Sequence, residues 1–246
     1  MTGARGAPIE RPTFYRRWLS PEGYLGIHLA VGFVLALLAG IAFGAIADEV
    51  AETHDVLRAD ARAHQVVTHI VSPRLTPLVV ALTFMGSPQV VTVLSVLVIT
   101  WLLIARSHRR LYAFAAAVLG SAVLTQALKA YFQRARPSSP LVLAHGYSFP
   151  SGHSMAAMTF YGTLAYVIYF SDKRHLKLRL AAVAACALMV GAIGLSRVYL
   201  GVHYFTDVVA GYAGGLCWAS VCMSGTEAWV RWTDWRQRRR SVRAAS

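Results

Sequence analysis

Three short stretches of the chain hold polar side chains that packing alone does not call for. The first carries Lys129, Arg134 and Arg136, followed by Pro137, Ser138 and Ser139. Lys129 and Arg136 are seven residues apart, two helical turns, so on a helix that runs to Pro137 both lie on one face and can grip a phosphate. Snorkelling of long cationic side chains at a helix end accounts for the pair equally well when it is taken alone. The second stretch is Pro150-Ser151-Gly152-His153, directly before an apolar run. A helix starting there offers unpaired N–H groups to an anion, and Gly152 lets the backbone come close. Ser151 adds a hydroxyl donor, and His153 can give a proton to a leaving oxygen. As a lone tetrapeptide it is also ordinary turn and capping chemistry. The third stretch is Ser196-Arg197, then His203 and Asp207. If a helix begins at or before His203, the carboxylate four residues on reaches one imidazole nitrogen and leaves the other facing the loop, the orienting device of covalent catalysis. Arg197 supplies a further fork of donors. An interfacial histidine beside a helix-capping aspartate is the plainer alternative.

These residues need elements to hold them, and the composition says what kind. Of the 246 residues, 56% are hydrophobic and 14% charged, and the mean hydropathy is +0.49. That balance belongs in a bilayer rather than in a soluble domain. Six segments read as spanning helices: about Tyr24 to Ala47, Val90 to Ala105, Leu111 to Ala130, Ser154 to Phe170, Leu180 to Leu195, and Asp207 to Met223. None alternates polar with apolar residues, so helices rather than a barrel are implied. The fold expected is an all-α polytopic membrane protein with six transmembrane helices. It forms a single domain over 1–246, with basic cytoplasmic tails at 1–23 and 229–246.

The net charge of +13 would suggest nucleic acid in a soluble protein. Here Lys and Arg collect before span one (Arg5, Arg11, Arg16, Arg17), between two and three, between four and five (Lys173, Arg174, Lys177, Arg179) and after six. Those segments share one side, which the positive-inside rule makes cytoplasmic. The loop from Asp48 to Pro88, with Asp48, Glu49, Glu52, Asp55 and Asp60, then lies outside. Within it, Thr76 to Gly86 is too short to span and reads as a helix lying at the interface or dipping partway in. Ala45-Ile46-Ala47 has the small residues of a signal-peptidase site, but the apolar run before it is long for one, so the first helix is expected to stay uncleaved. The tail from Trp229 reads as an interfacial anchor, and Cys186, Cys217 and Cys222 as small core residues without a disulfide.

On that topology all three polar stretches fall at the same outer membrane face, each supplies a different part of phosphoryl transfer, and no metal-ligand cluster competes with them. Lys129 to Pro137, Pro150 to His153 and Ser196 to Asp207 together resemble the three-part signature of the type 2 phosphatidic acid phosphatase (PAP2) superfamily, KxxxxxxRP, PSGH and SRxxxxxHxxxD, with every position present. The resemblance implies a helical bundle, no metal, no cofactor and a phosphohistidine intermediate. By it His203 is the nucleophile, Asp207 orients it, and His153 protonates the leaving group. Lys129, Arg136, Ser151, Gly152 and Arg197 hold the phosphate oxygens. The expected partners are a membrane lipid phosphate and the bilayer, with no nucleic acid and no obligatory protein partner. Undecaprenyl diphosphate, phosphatidylglycerol phosphate and phosphatidic acid all fit as substrates at the outer face of an inner membrane. A lipid phosphotransferase of the same family and a non-catalytic lipid-phosphate binder are the alternatives. Arg134, Ser138, Ser139, His145, Tyr147, Tyr199 and Tyr204 stand near enough to tune head-group choice.

Overall fold

A computed structural model describes residues 21–52, 58–170 and 175–245. Among them are eight helices and no strand: α1 (Pro21–Glu52), α2 (Arg58–Ile70), α3 (Thr76–Phe84), α4 (Pro88–Ile104), α5 (His108–Phe132), α6 (Gly152–Tyr169), α7 (Leu176–Tyr199) and α8 (Phe205–Ala245). Arg5, Arg11, Arg16, Arg17, Asp55, Lys173 and Arg174 lie outside the described residues, as does most of the predicted 1–23 tail. At the other end the predicted tail is no separate segment, because α8 runs on through Ala245.

Each of the six predicted spans has a helix in its place, but they are not equally apolar. α1, α5, α7 and α8 are long and apolar enough to cross a membrane, and α3 with α4, bent by 42° where they join, makes a fifth if the pair is one span. Exposed Phe33, Leu38, Val93, Leu97, Leu119 and Leu188 give these helices an apolar outer surface suited to lipid. The exception is α6. It packs against α4, α5, α7 and α8, and its Ser154, Thr159 and Thr163 are buried in the bundle. Those hydroxyls find partners inside the protein: Thr163 donates to the Thr159 carbonyl at 2.5 Å and Thr159 to the Ser121 hydroxyl at 3.1 Å. A helix shielded by protein on its faces need not be apolar enough for lipid.

The predicted segment Thr76 to Gly86 is α3, which packs on α7. Ser87 ends the break by accepting from the Val90 N–H at 3.3 Å, with Pro88 at the first turn of α4, the usual residue types for a helix start. Around α6 the core is built from Phe114, Phe160, Leu102, Val167 and Ile193, with Phe114 and Phe160 edge to face at 5.8 Å. α1 is tied in by Ala47 and Val50, buried with Phe149 and Ala210.

The approach of α8 to α6 sets the position of everything described below. A Cβ on Gly211 would stand 2.7 Å from the Ser151 carbonyl oxygen, and one on Gly215 2.8 Å from that of Met155. Both obstacles are backbone and cannot swing aside. The glycines thus let the two helix starts meet, and the Ser151 N–H donates to the Asp207 carbonyl at 3.0 Å. Gly211→Ala should push the helices apart and cost about 1–3 kcal/mol, read as a lowered thermal unfolding midpoint in detergent. Gly44→Ala, whose Cβ meets nothing within 4 Å, should leave the midpoint unchanged or raise it. Equal midpoints for the two variants would refute the close-approach role.

Candidate active site

The C-terminal end of α5, the start of α6, the end of α7 and the turn before α8 surround a cavity of about 460 Å³. Lys129, Arg136, Gly152, His153, Arg197 and His203 line it together. Two predicted residues do not. Ser151 is fully buried and is the N-cap of α6, its hydroxyl oxygen accepting from the Ser154 hydroxyl at 2.9 Å and from the Ser154 N–H at 3.4 Å. Asp207 stands behind His203, on the side away from the cavity.

His203 lies in the turn between α7 and α8, with its Nε2 3.2 Å from Arg136 Nη1 and its Nδ1 3.4 Å from Asp207 Oδ2. The second contact is long and out of line for a hydrogen bond, and Nδ1 has no other partner. Burial lowers the His203 pKa to about 4, against the opposing pull of Asp207. The ring is therefore neutral near pH 7, which an attacking nitrogen requires. The predicted route to this pairing was a helix starting at or before His203, and here the structure differs. α8 starts at Phe205, and Asp207, three residues after the cap position Tyr204, reaches back to accept from the Tyr204 N–H at 2.9 Å. That is the return half of a capping box, so Asp207 satisfies a helix-start N–H and backs the histidine at once.

Lys129 and Arg136 do not share a helical face. α5 stops at Phe132, with Gln133 in the left-handed region at φ 46°, and the following loop curls back over the site. Arg136 holds that loop: its Nε donates to the Gly146 carbonyl at 2.9 Å, its Nη2 to His145 at 2.9 Å and its Nη1 to Val202 at 2.7 Å. Lys129 Nζ donates to the Tyr147 carbonyl at 2.5 Å. Arg197 is positioned from α3, where the Thr83 hydroxyl accepts from its Nη1 at 3.0 Å. Its buried Nε has no hydrogen-bond partner. Among the described residues no three His, Cys, Asp or Glu side chains converge as a metal site would require.

Sequence reasoning passed over Ser148, Thr83 and the role of Asp60, and gave Arg134 and Tyr199 only a part in head-group choice. Ser148, completely buried, donates to Asp207 Oδ2. Arg134 donates to Asp207 Oδ1 at 2.6 Å and to Asp60 at 2.8 Å, its guanidinium 4.2 Å from the centre of the Tyr204 ring. Tyr199, considered for head-group choice, instead ties α7 to the turn before α3 by accepting from the Ser72 N–H at 3.0 Å. No signal in the sequence singled out Thr83, Ser148 or Asp60.

Comparison with known proteins places the chain in a family. The family model for the PAP2 superfamily matches residues 110–231, the stretch that holds all three motifs. The chain belongs to the PAP2 superfamily. It is 42% identical over 99 residues to phosphatidylglycerophosphatase B of Bacillus subtilis strain 168, an alignment covering 38% of this chain and 47% of that protein. The match thus spans about half the length of that relative. Its fold is similar to the crystal structure of the transmembrane PAP2-type phosphatidylglycerolphosphate phosphatase from Bacillus subtilis, at TM-score 0.69 and 28% identity, over 80% of this chain and 96% of that one. It also shares the fold of Aquifex aeolicus LpxE, at TM-score 0.55 and 24% identity, covering 69% and 97%. The chain is a multi-pass membrane protein of all-helical PAP2 fold.

The Thr83 contact gives a direct test of how the anion cavity is organised. Thr83→Val removes an acceptor for Arg197 at nearly constant volume, and losing a hydrogen bond to a charged group costs about 1.5–3 kcal/mol at most. Inorganic phosphate or orthovanadate should then bind more weakly by isothermal titration calorimetry, by up to about 10²-fold. Unchanged affinity would mean that Arg197 needs no support from α3.

Proposed function

We propose that this protein is a metal-independent lipid phosphate phosphatase that works by double displacement through a phosphohistidine on His203. One observation carries the reading: a neutral, carboxylate-backed histidine, three cations and a helix N-terminus converge on a single cavity. That cavity continues along Val91, Val118 and Ala122, between α4 and α5. A phosphorylated head group fits the polar end and a lipid tail the apolar seam.

In the first step His203 Nε2 attacks phosphorus and the bond from phosphorus to the leaving oxygen breaks, with His153, which takes up a proton as the anion enters beside it, giving that proton to the leaving oxygen. Lys129, Arg136, Arg197 and the N–H groups opening α6 at Gly152 balance the charge on the equatorial oxygens. Asp207 stabilises the positive ring as the P–N bond forms. In the second step water attacks, the P–N bond breaks, His153 takes the water's proton, and phosphate leaves with His203 restored. Phosphoryl transfer through a loose transition state asks for this positioning and charge stabilisation more than for covalent help.

The named activity of the Bacillus subtilis relative supports phosphatidylglycerol phosphate as the first substrate to test, ahead of undecaprenyl diphosphate and phosphatidic acid. The distribution of Lys and Arg supports an inner membrane with cytoplasmic termini and an extracytoplasmic site.

Detergent-purified protein in EDTA should release phosphate from at least one of these lipids. His203→Ala should abolish release, and wild type quenched in alkali after brief exposure to radiolabelled substrate should carry an acid-labile phosphoryl group that His203→Ala lacks. A wild type inert on all three would overturn the reading. The pH profile adds a second check. A nucleophile with an ordinary histidine pKa near 6.5 would lose about tenfold in its neutral form by pH 5.5. With His203 lowered to about 4, its limb of the kcat/KM profile should lie near pH 4, leaving no such fall between pH 7 and 5.5.

A further inference from the structure

Asp60 sits on α2, away from the motifs in sequence, and as one of several acids in an outer loop it has no evident reason to be buried. Its side chain nonetheless has no exposed surface. Oδ2 accepts from Arg134 Nη2 at 2.8 Å and from the Thr206 hydroxyl at 2.8 Å, and Oδ1 accepts from the Thr206 N–H at 2.8 Å. Thr206 is the second residue of α8 and immediately precedes Asp207. Its N–H is one of the groups that an N-cap side chain normally satisfies. The cap position is Tyr204, which has no such oxygen near its backbone, so Asp60 supplies it from 146 residues earlier. Arg134 completes the link, its Nη1 donating to Asp207 Oδ1 at 2.6 Å and to the Thr206 hydroxyl at 2.8 Å.

We propose that Asp60 is a positioning residue for the reaction described above: through Arg134 and Thr206 it fixes the Asp207 carboxylate, and with it the ring of His203. The proposal rests on that phosphatase reading. Its physical basis is the charge order across the buried row, carboxylate, guanidinium, carboxylate. Asp60 draws part of the Arg134 charge to itself, which leaves Asp207 more negative toward His203. A neutral group at position 60 would let Arg134 turn wholly onto Asp207, drawing it from a ring nitrogen that is already 3.4 Å away and weakening its support for the positive ring. Asp60 does not line the cavity that holds Lys129, Arg136 and Arg197, so its loss should act on turnover rather than on substrate affinity.

The test is steady-state phosphate release by wild type, Asp60→Asn, Thr206→Val, Arg134→Gln and the Asp60→Asn/Arg134→Gln double variant, well below their unfolding midpoints. Asp60→Asn should lower kcat by about tenfold or more with KM, and the inhibition constant of inorganic phosphate, within about twofold of wild type. Thr206→Val, which keeps every charge, should show the same pattern to a smaller degree. The double variant should be little worse than Arg134→Gln alone, because the two residues act on Asp207 as a unit. Wild-type kcat in Asp60→Asn or, should that variant not fold, in Thr206→Val would overturn the proposal. Additive losses, or a lowered unfolding midpoint with kcat untouched, would overturn it as well and leave Asp60 only an anchor for α2. A wild type that releases no phosphate would instead sink the phosphatase reading and this proposal together.

Discussion

The structure turns on a carboxylate with no contact with solvent. The Asp207 side chain is wholly buried, and a charge in that position persists only if donors meet both oxygens. Those donors come from three directions: Arg134 beyond the end of α5, Ser148 from the loop before α6 and the Tyr204 N–H at the cap of α8, with the His203 ring 3.4 Å away on a fourth side. Its backbone carbonyl takes the Ser151 N–H as well. Satisfying one buried group therefore brings the start of α6 and the turn after α7 to the same point, where His153 and His203 face one cavity. The two glycines of α8 are what make the distance short enough.

The same constraint explains why some parts of this arrangement were legible in the sequence and others were not. Spanning helices announce themselves locally, because each apolar run answers to lipid on its own, and the helices stand where the runs are. α6 is the instructive exception: its hydroxyls are read by neighbouring helices, so its hydropathy reports the bundle interior. The residue types of the site were legible because His, Arg and Lys at one membrane face have no packing explanation. Their geometry was less so. Nothing distinguishes Gln133 as the residue that turns left-handed, yet that turn decides that Arg136 belongs to a loop rather than to the face of Lys129. Asp60 and Thr83 reach their partners across 74 to 146 and 114 residues respectively, and an acid in an acidic loop carries no mark of burial.

The four cations near the site fall into two kinds, and the difference bears on what the cavity is for. Arg134 is neutralised, held between two carboxylates, and its role is spent on structure. Lys129, Arg136 and Arg197 have no carboxylate within salt-bridge distance among the described residues. Backbone carbonyls hold the first two and the Thr83 hydroxyl holds the third, with the Arg136 guanidinium also against His203. Neutral acceptors orient a cation without cancelling its charge. Desolvating three such charges together costs free energy that the carboxylate of Asp207, behind the histidine, returns only in part. The arrangement becomes favourable when an anion enters, and the neutral acceptors fix in advance where its oxygens will lie. Placing the compensating carboxylates behind the histidine and none in front of it separates the two electrostatic demands of phosphoryl transfer: negative charge where the ring becomes positive, positive charge where the phosphate must be held.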